Sequence, residues 1–181
     1  SSPVDNSAPM IEVSDLTKRY AGRTAVNGIS FTVGRGEVVG FLGPNGAGKS
    51  TTMRMMLGLD HGEGRTLYNG QQLQQHPRPA RVVGAHLDAK FFHPKRTARN
   101  HLRMLAAAGG VDDRRVDEVL DLVGLTDVAR KQPRGFSLGM GQRLGLAGAI
   151  LASPSVLLLD EPANGLDPQS ISWLRDFIAY Y

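Results

Sequence analysis

A glycine-rich segment constrains the fold more than any other part of this sequence. It reads GPNGAGKST, spans residues 43–51, and matches the pattern G-x-x-x-x-G-K-[ST] in full. The run VVGFL (38–42) precedes it and is typical of a strand buried on both faces. The segment TTMRMMLGL (51–59) follows and predicts a helix that ends at Gly58. A strand, a glycine loop and a helix in this order predict a phosphate-binding loop, against the alternative of a chance glycine-rich turn.

Each residue type in this loop has a role in holding a nucleoside triphosphate. The glycines let successive backbone N–H groups turn toward phosphate oxygens. Lys49 should reach the β- and γ-phosphates, and the Ser50 hydroxyl should coordinate Mg²⁺ at the positive end of the helix dipole. We therefore expect ATP and Mg²⁺ as cofactors, with these nucleotide contacts: Gly43, Pro44, Asn45, Gly46, Ala47, Gly48, Lys49, Ser50 and Thr51.

An acidic pair at the end of a second apolar strand supplies the other half of such a site. The segment is VLLLDEP (156–162), with Asp160 and Glu161 directly after the apolar residues. Asp160 is placed to hold Mg²⁺, and Glu161 to polarise an attacking water. An acidic pair in this position can also simply cap the next helix. Its combination with a phosphate loop favours the catalytic interpretation, with Glu161 and Lys49 as catalytic residues.

A second glycine-bearing turn, FSLGMGQR (136–143), also predicts an anion site. Ser137 should begin a helix, so its hydroxyl, the Gly139 N–H and the helix dipole would attract a phosphate. A plain helix N-cap is the alternative. One phosphate loop already serves the nucleotide of this chain, so the turn makes sense against the γ-phosphate of a neighbouring molecule.

The remaining pattern predicts an α/β domain with a helical insert at about 94–148. MIEV (10–13) should be a strand, and TAVNGISFTV (24–33) a hairpin that turns at Asn27-Gly28. Thr97 should cap a helix that ends at Gly109-Gly110. Four valine and leucine residues at helical spacing should form the buried face of the next helix: Val116, Val119, Leu120 and Val123. SISWLRDFIAYY (170–181) starts a further helix.

Composition excludes several other classes of protein. The net charge of +4 is spread over the chain and aromatic residues are 6%, which favours a solvated basic face over a nucleic-acid surface. There is no cysteine, and the five histidines do not fall at a metal-ligand spacing. No apolar run approaches the ~18 residues of a membrane span.

The order of these motifs resembles the ATP-binding subunits of ABC transporters, over Met10 to Tyr181. SLGM, VGAHLDAKFFHP and LDEPANGLDP are most similar to the bacitracin-resistance-type exporters of that family. The resemblance implies a P-loop NTPase core with an N-terminal antiparallel β subdomain and a helical insert. It also implies that Asp167, in NGLD, contacts the nucleotide and that Tyr20, in LTKRY, stacks on adenine. For Tyr20 the alternative is an ordinary strand-end tyrosine.

The same resemblance implies an ATPase that works as a homo- or heterodimer. It would convert ATP and water to ADP and phosphate and drive a separate membrane-spanning subunit, from the cytoplasmic face of the membrane, without nucleic acid. A soluble ABC-type ATPase acting on nucleic acid or ribosomes is one alternative. A nucleotide-binding module without turnover is the other.

The sequence departs from the family pattern in two places. Asp88 stands where the family has a glutamine that contacts Mg²⁺, so we expect Asp88 either as a metal ligand or as a residue that couples to the membrane subunit. The family histidine beyond Asp167 has no counterpart before Tyr181. Residues 10–181 therefore resemble a partial ABC ATPase domain, weak or inactive by itself, after a disordered tail or expression-vector remnant at 1–9.

Overall fold

The computed structural model describes residues 10–34, 38–41, 47–86, 95–160 and 168–180, and these form an α/β structure with two sheets. The first sheet is antiparallel, in the order β2-β1-β4, and the second is parallel, in the order β3-β6-β5. The strands are β1 (Ile11–Tyr20), β2 (Arg23–Val33), β3 (Val38–Phe41), β4 (Glu63–Tyr68), β5 (Val83–His86) and β6 (Val156–Asp160). The helices are α1 (Ala47–Met56), α2 (Pro79–Val82), α3 (Ala98–Ala108), α4 (Arg114–Leu122), α5 (Leu138–Ile150) and α6 (Pro168–Tyr180). Short 3₁₀ turns lie at Leu73–Gln75, Thr126–Val128 and Pro133–Gly135.

Strand β6 explains why the run VLLL (156–159) is apolar at every position. Its side chains alternate between two hydrophobic cores: Leu157 and Leu159 join one, and Val156 and Leu158 join the other. All four are fully buried. The first core is formed by α3, α4 and α5, and the second by the antiparallel sheet and α1. The predicted strand at 156–160 is confirmed, and the one predicted at 38–42 is confirmed over its described residues, Val38–Phe41; the two pair in a parallel sheet.

The predicted hairpin turn at Asn27-Gly28 is wrong. β2 runs unbroken through both residues, and the chain reverses instead at Gly22, where φ is +76°. Gly28 has φ +60° and donates its N–H to Thr17 Oγ1 at 3.1 Å, at a point where β2 has one residue more than β1. A β-bulge that contains a left-handed glycine and a tight hairpin turn both favour Asn-Gly, so this pair does not distinguish them. Ile29, the residue after the bulge, is 37% exposed.

The predicted helices are confirmed with their caps. Thr97 Oγ1 accepts a hydrogen bond from the Asn100 N–H at 3.1 Å, and α3 ends at Gly109. Three of the four predicted residues form the buried face of α4, and the fourth is its C-cap; each is no more than 1% exposed: Val116, Val119, Leu120 and, as the cap, Val123. In the described part of the chain, no helix has the length and apolar character needed to cross a bilayer.

Strands β4 and β5 were not predicted. β4 reads EGRTLY, and of its side chains Tyr68 alone is buried. The sequence of β4 therefore lacks the alternation of apolar residues that would predict a strand. The Tyr68 hydroxyl donates to the Met56 carbonyl at 2.8 Å, which joins β4 to the end of α1. Burial raises the pKa of Tyr68 well above its usual range. β5 is four residues long, too short for a periodic signal.

Candidate functional site

The carboxyl edge of the parallel sheet gathers the strand ends that the sequence singled out. Phe41, the last residue of β3, pairs with Asp160, the last residue of β6. His86, the last residue of β5, pairs with Leu159 on the other side of β6. Ligands of open parallel sheets bind outside this edge. Several predicted site residues lie outside the described residues: Gly43, Pro44, Asn45, Gly46, Asp88, Glu161 and Asp167.

Helix α1 begins at Ala47 and carries the rest of the phosphate-loop residues in its first turns. The first turn of α1 packs closely against the antiparallel sheet. A Cβ added to Gly48 would lie 3.1 Å from the Ala25 carbonyl oxygen. Thr52 is 1% exposed and donates its hydroxyl to the Gly48 carbonyl at 2.8 Å. Ser50 and Thr51, half-buried, lie in the same turns. The helix is thus anchored on its sheet side, with its positive N-terminal end following strand β3.

The amino group of Lys49 is buried and, within the described structure, has no hydrogen-bond partner. A buried ammonium without a partner is costly, because it has lost its hydration and gained nothing in exchange. A phosphate group would supply the missing acceptors and the opposite charge. The residues present therefore fit a bound polyphosphate.

Tyr20 has an accessible aromatic ring at the end of β1. It ends β1, is 50% exposed, and pairs with Arg23 across the hairpin. Two residues further along β2 lies Ala25, against which Gly48 packs. The Lys18 amino group lies 5.5 Å from the centre of the Tyr20 ring. The same amino group pairs with Asp60 at 3.4 Å, so the exposed ring of Tyr20 lies beside an ion pair at the end of β1.

Ser137 is the N-cap of α5 and lies apart from α1. Its Oγ accepts a hydrogen bond from the Met140 N–H at 3.2 Å, so the plain N-cap interpretation holds within this chain. Ser137 is exposed, and the adjacent Leu138 is 44% exposed. α5 packs on the helical core and α1 on the other core, so β6 separates the two helices. The structure does not bring the Ser137 turn to the Lys49 site of the same chain.

Two contacts of α5 were missed from the sequence. His86 is 5% exposed, and its Nε2 hydrogen-bonds the Gln142 side-chain oxygen. Arg143 donates to the Val123 carbonyl at 3.5 Å, and its guanidinium lies 4.4 Å from the centre of the Trp173 ring. The sequence feature that could have predicted both contacts is the polar pair Gln-Arg in a helix whose other residues are mostly small or apolar.

A family model described as ABC transporter matches residues 26–164. The chain belongs to the ABC transporter family. The predicted family is thereby confirmed, and so is the predicted fold class.

Among curated relatives, the chain is 43% identical to the uncharacterized ABC transporter ATP-binding protein YhcH of Bacillus subtilis, over 93% of this chain and 56% of that protein. It is 41% identical to the bacitracin transport ATP-binding protein BcrA of Bacillus licheniformis, over the same two shares. The chain thus spans about half the length of the curated relatives it matches. A solved structure of the ATP binding subunit of an ABC transporter superimposes with a TM-score of 0.76 at 31% identity, covering 94% of this chain and 75% of that one.

Proposed function

We propose that this ABC transporter chain binds ATP and belongs to an ATPase that drives export through a separate membrane-spanning subunit. The observation that carries the proposal is the amino group of Lys49 on the first turn of α1, which is buried and has no hydrogen-bond partner among the described residues. The relatives described above are named as ATP-binding or transport proteins, and nothing in them favours the soluble alternative.

Each of the proposed site residues at the carboxyl edge of the parallel sheet would have a separate role in ATP hydrolysis. Lys49 would neutralise charge on the β- and γ-phosphates. Ser50 and Asp160 would hold Mg²⁺, with Asp88 as a third candidate ligand. The metal supplies further neutralisation of the transferred phosphoryl group. Glu161 would orient and polarise the attacking water.

The Ser137 turn would complete the site of a second ATPase subunit. Ser137 is exposed, and β6 separates it from the Lys49 site of its own chain. It would contact the γ-phosphate of a neighbour together with Gly139 and Asp167. The proposed unit is therefore a dimer. Within each subunit, helices α3 to α5 would belong to the helical subdomain at about 94–148.

The membrane-spanning subunit would dock in a groove of about 960 Å³ beside strand β5. Its floor includes small residues, among them Gly84 and Gly148, and Arg54 and Arg78 contribute positive charge. A helix of the membrane subunit with small and acidic side chains fits such a groove. The groove reaches His86, two residues before Asp88, which agrees with a coupling role for Asp88. This arrangement would hold the protein at the cytoplasmic face of the membrane.

The chain has no cysteine, so single-cysteine cross-linking can test this docking directly. Leu59 lines the groove and is 58% exposed, whereas Leu122 on α4 is 41% exposed and does not line it. Leu59→Cys should cross-link to the membrane subunit in membranes, and Leu122→Cys should not. Equal cross-linking from both positions would place the interface elsewhere.

Replacing Lys49 with alanine tests nucleotide binding. In the complete protein, Lys49→Ala should cost ~1.5–3 kcal/mol of ATP affinity, the range for a charge-assisted contact. Isothermal titration calorimetry with Mg·ATP measures the change. Lys131→Ala, which removes an exposed lysine, is the matched control and should leave the affinity unchanged. If both variants bind ATP as the wild type does, Lys49 does not bind phosphate and the proposed function fails.

Phosphate release distinguishes an ATPase from a module that only binds nucleotide. The wild-type complex should release phosphate steadily, and Glu161→Gln should bind ATP and release almost none. A wild type that binds ATP without turnover would favour the non-hydrolytic alternative.

A further inference from the structure

A hydrogen bond between two side chains joins the parallel sheet to the helix that carries the Ser137 turn. His86 ends strand β5, and its Nε2 bonds the side-chain oxygen of Gln142 on α5. Gln142 accepts through its oxygen, so His86 donates from Nε2. The imidazole is 5% exposed, which shields this bond from water.

Glycines bring β5 and α5 into close contact beside this bond, toward the carboxyl end of α5. A Cβ on Gly145 would overlap the His86 ring, and a Cβ on Gly84 would overlap the carbonyl oxygen of Ala149. The amino end of β5 thus lies by the carboxyl end of α5, so the strand and the helix run in opposite directions. Ser137 lies five residues before Gln142, or roughly 7.5 Å further along the helix axis. The Ser137 turn therefore projects in the direction in which β5 ends.

The Ser137 turn is held by packing on either side of it and by polar contacts further along the helix. Ser137 and Leu138 are exposed, whereas Phe136 and Met140 pack against the helical core. Gln142 and Arg143 form the next polar anchors, the first to β5 and the second to Val123 and Trp173. Of these two anchors, Gln142 is the one bonded to the sheet that carries Asp160.

We propose that His86 is a positioning residue that sets the Ser137 turn relative to the sheet through Gln142. It acts on the step in which two ATP-bound subunits associate. It leaves ATP binding to one subunit unchanged, because α1 packs on the opposite face of β6. His86 ends β5 two residues before Asp88. A displacement of this end of β5 would therefore move the Ser137 turn through the same hydrogen bond. This inference rests on the proposed function, since the turn matters only if a second subunit meets it.

The test uses the complete protein with four variants: His86→Ala, Gln142→Ala, the double variant and His86→Gln. ATP affinity of the single subunit is measured in a Ser137→Arg background, which blocks association. Dimer formation with ATP is measured by sedimentation in a Glu161→Gln background, and turnover is measured against ATP concentration without either background change.

The two alanine variants should bind ATP as the wild type does and form the dimer about three- to tenfold more weakly, the value of one hydrogen bond. The double variant should be no weaker than either single variant, because both remove the same bond. His86→Gln should restore most of the loss, since a glutamine amide can place an N–H near the Nε2 position. Turnover should fall at saturating ATP while the ATP concentration for half-maximal rate changes little.

His76→Ala is the matched control. His76 Nε2 lies 2.6 Å from the Tyr68 carbonyl, so the variant loses a comparable histidine bond in the antiparallel sheet. It should dimerise as the wild type does.

The results separate this inference from the proposed function. A wild type that neither binds ATP nor dimerises would overturn both. A wild type that does both, with His86→Ala and Gln142→Ala unchanged, would overturn the positioning role alone. Loss of ATP affinity in parallel with dimerisation would also overturn it, as would failure of His86→Gln to rescue. Gln142 is half-buried, so its variant remains informative if His86→Ala does not fold.

Discussion

Phe41 and Asp160 are paired neighbours at the ends of the parallel strands β3 and β6. The phosphate loop follows the first strand and Glu161 follows the second. Residues more than a hundred positions apart thus leave the sheet side by side. This pairing makes a shared metal and phosphate site possible, because parallel strands place their carboxyl ends at one edge.

Tyr20 should contribute to nucleotide binding through its ring. We expect Tyr20→Ala to weaken ATP binding by ~1–3 kcal/mol, the range for stacking on one base. Tyr20→Trp keeps an aromatic face and should retain most of the affinity. Calorimetry with ATP in the complete protein measures both. If Tyr20→Ala binds ATP as tightly as the wild type, Tyr20 does not stack on the base and is an ordinary tyrosine at the end of a strand.

Ser137 should matter for association of subunits and not for ATP binding to one subunit. Ser137→Arg should leave the ATP affinity of the monomer intact and abolish ATP-driven dimerisation, because a bulky cation would fill the place of the neighbour's phosphate. Glu161→Gln should do the reverse and accumulate an ATP-bound dimer. Size-exclusion chromatography with ATP distinguishes the two outcomes.

Loss of the helix cap provides the control for this experiment. Thr97 caps α3 as Ser137 caps α5, each accepting a hydrogen bond from an N–H three residues on. Thr97→Ala should cost about 1 kcal/mol of stability and leave dimerisation unchanged. Monomer binding weakened as much by Ser137→Arg as by Lys49→Ala would contradict the cross-subunit role.

Gly84 should tolerate no side chain. A Cβ there would overlap the Ala149 carbonyl oxygen, and a backbone atom has no rotamer by which to move away. We expect Gly84→Ala to lower the free energy of unfolding by about 1–3 kcal/mol. Gly135→Ala, where nothing lies within 4 Å of the new Cβ, should be nearly neutral. Urea unfolding of both variants checks the difference, and equal stability would mean that β5 and α5 are less closely packed than described.

His101 should make the fold less stable in mild acid. Burial, and then the nearby positive charge of Arg96, lower the pKa of His101 below its ordinary value. The unfolded chain, with a histidine pKa of about 6.5, therefore takes up a proton that the folded chain does not. Stability is full above that pH and falls as the pH decreases below it.

His101→Gln should flatten this dependence. Urea unfolding at several pH values between roughly 7.5 and 5.5 measures the slope. Above about pH 7 the variant and the wild type should show the same slope, because the imidazole is neutral in both states. Arg96→Gln should reduce the slope in part. An unchanged slope in His101→Gln would assign the acid sensitivity to other groups.

The sequence by itself determined the parts of this protein whose causes are local. The phosphate loop, the caps at Thr97 and Ser137 and the buried face of α4 depend on residues a few positions apart. Local spacing and backbone preference were therefore enough to predict them. The family followed from the order of those motifs along the chain.

The tertiary structure decided what depends on distant parts of the chain meeting. The pair Asn27-Gly28 is compatible with a β-bulge as well as with a turn, and the pairing of β2 with β1 determines that it forms a bulge. The bond between His86 and Gln142 joins residues 56 positions apart, which no local pattern specifies. Burial of the Lys49 amino group is likewise a property of the folded chain. A side chain's solvent exposure and its partners are properties of the assembled core, and the residue types alone leave them open.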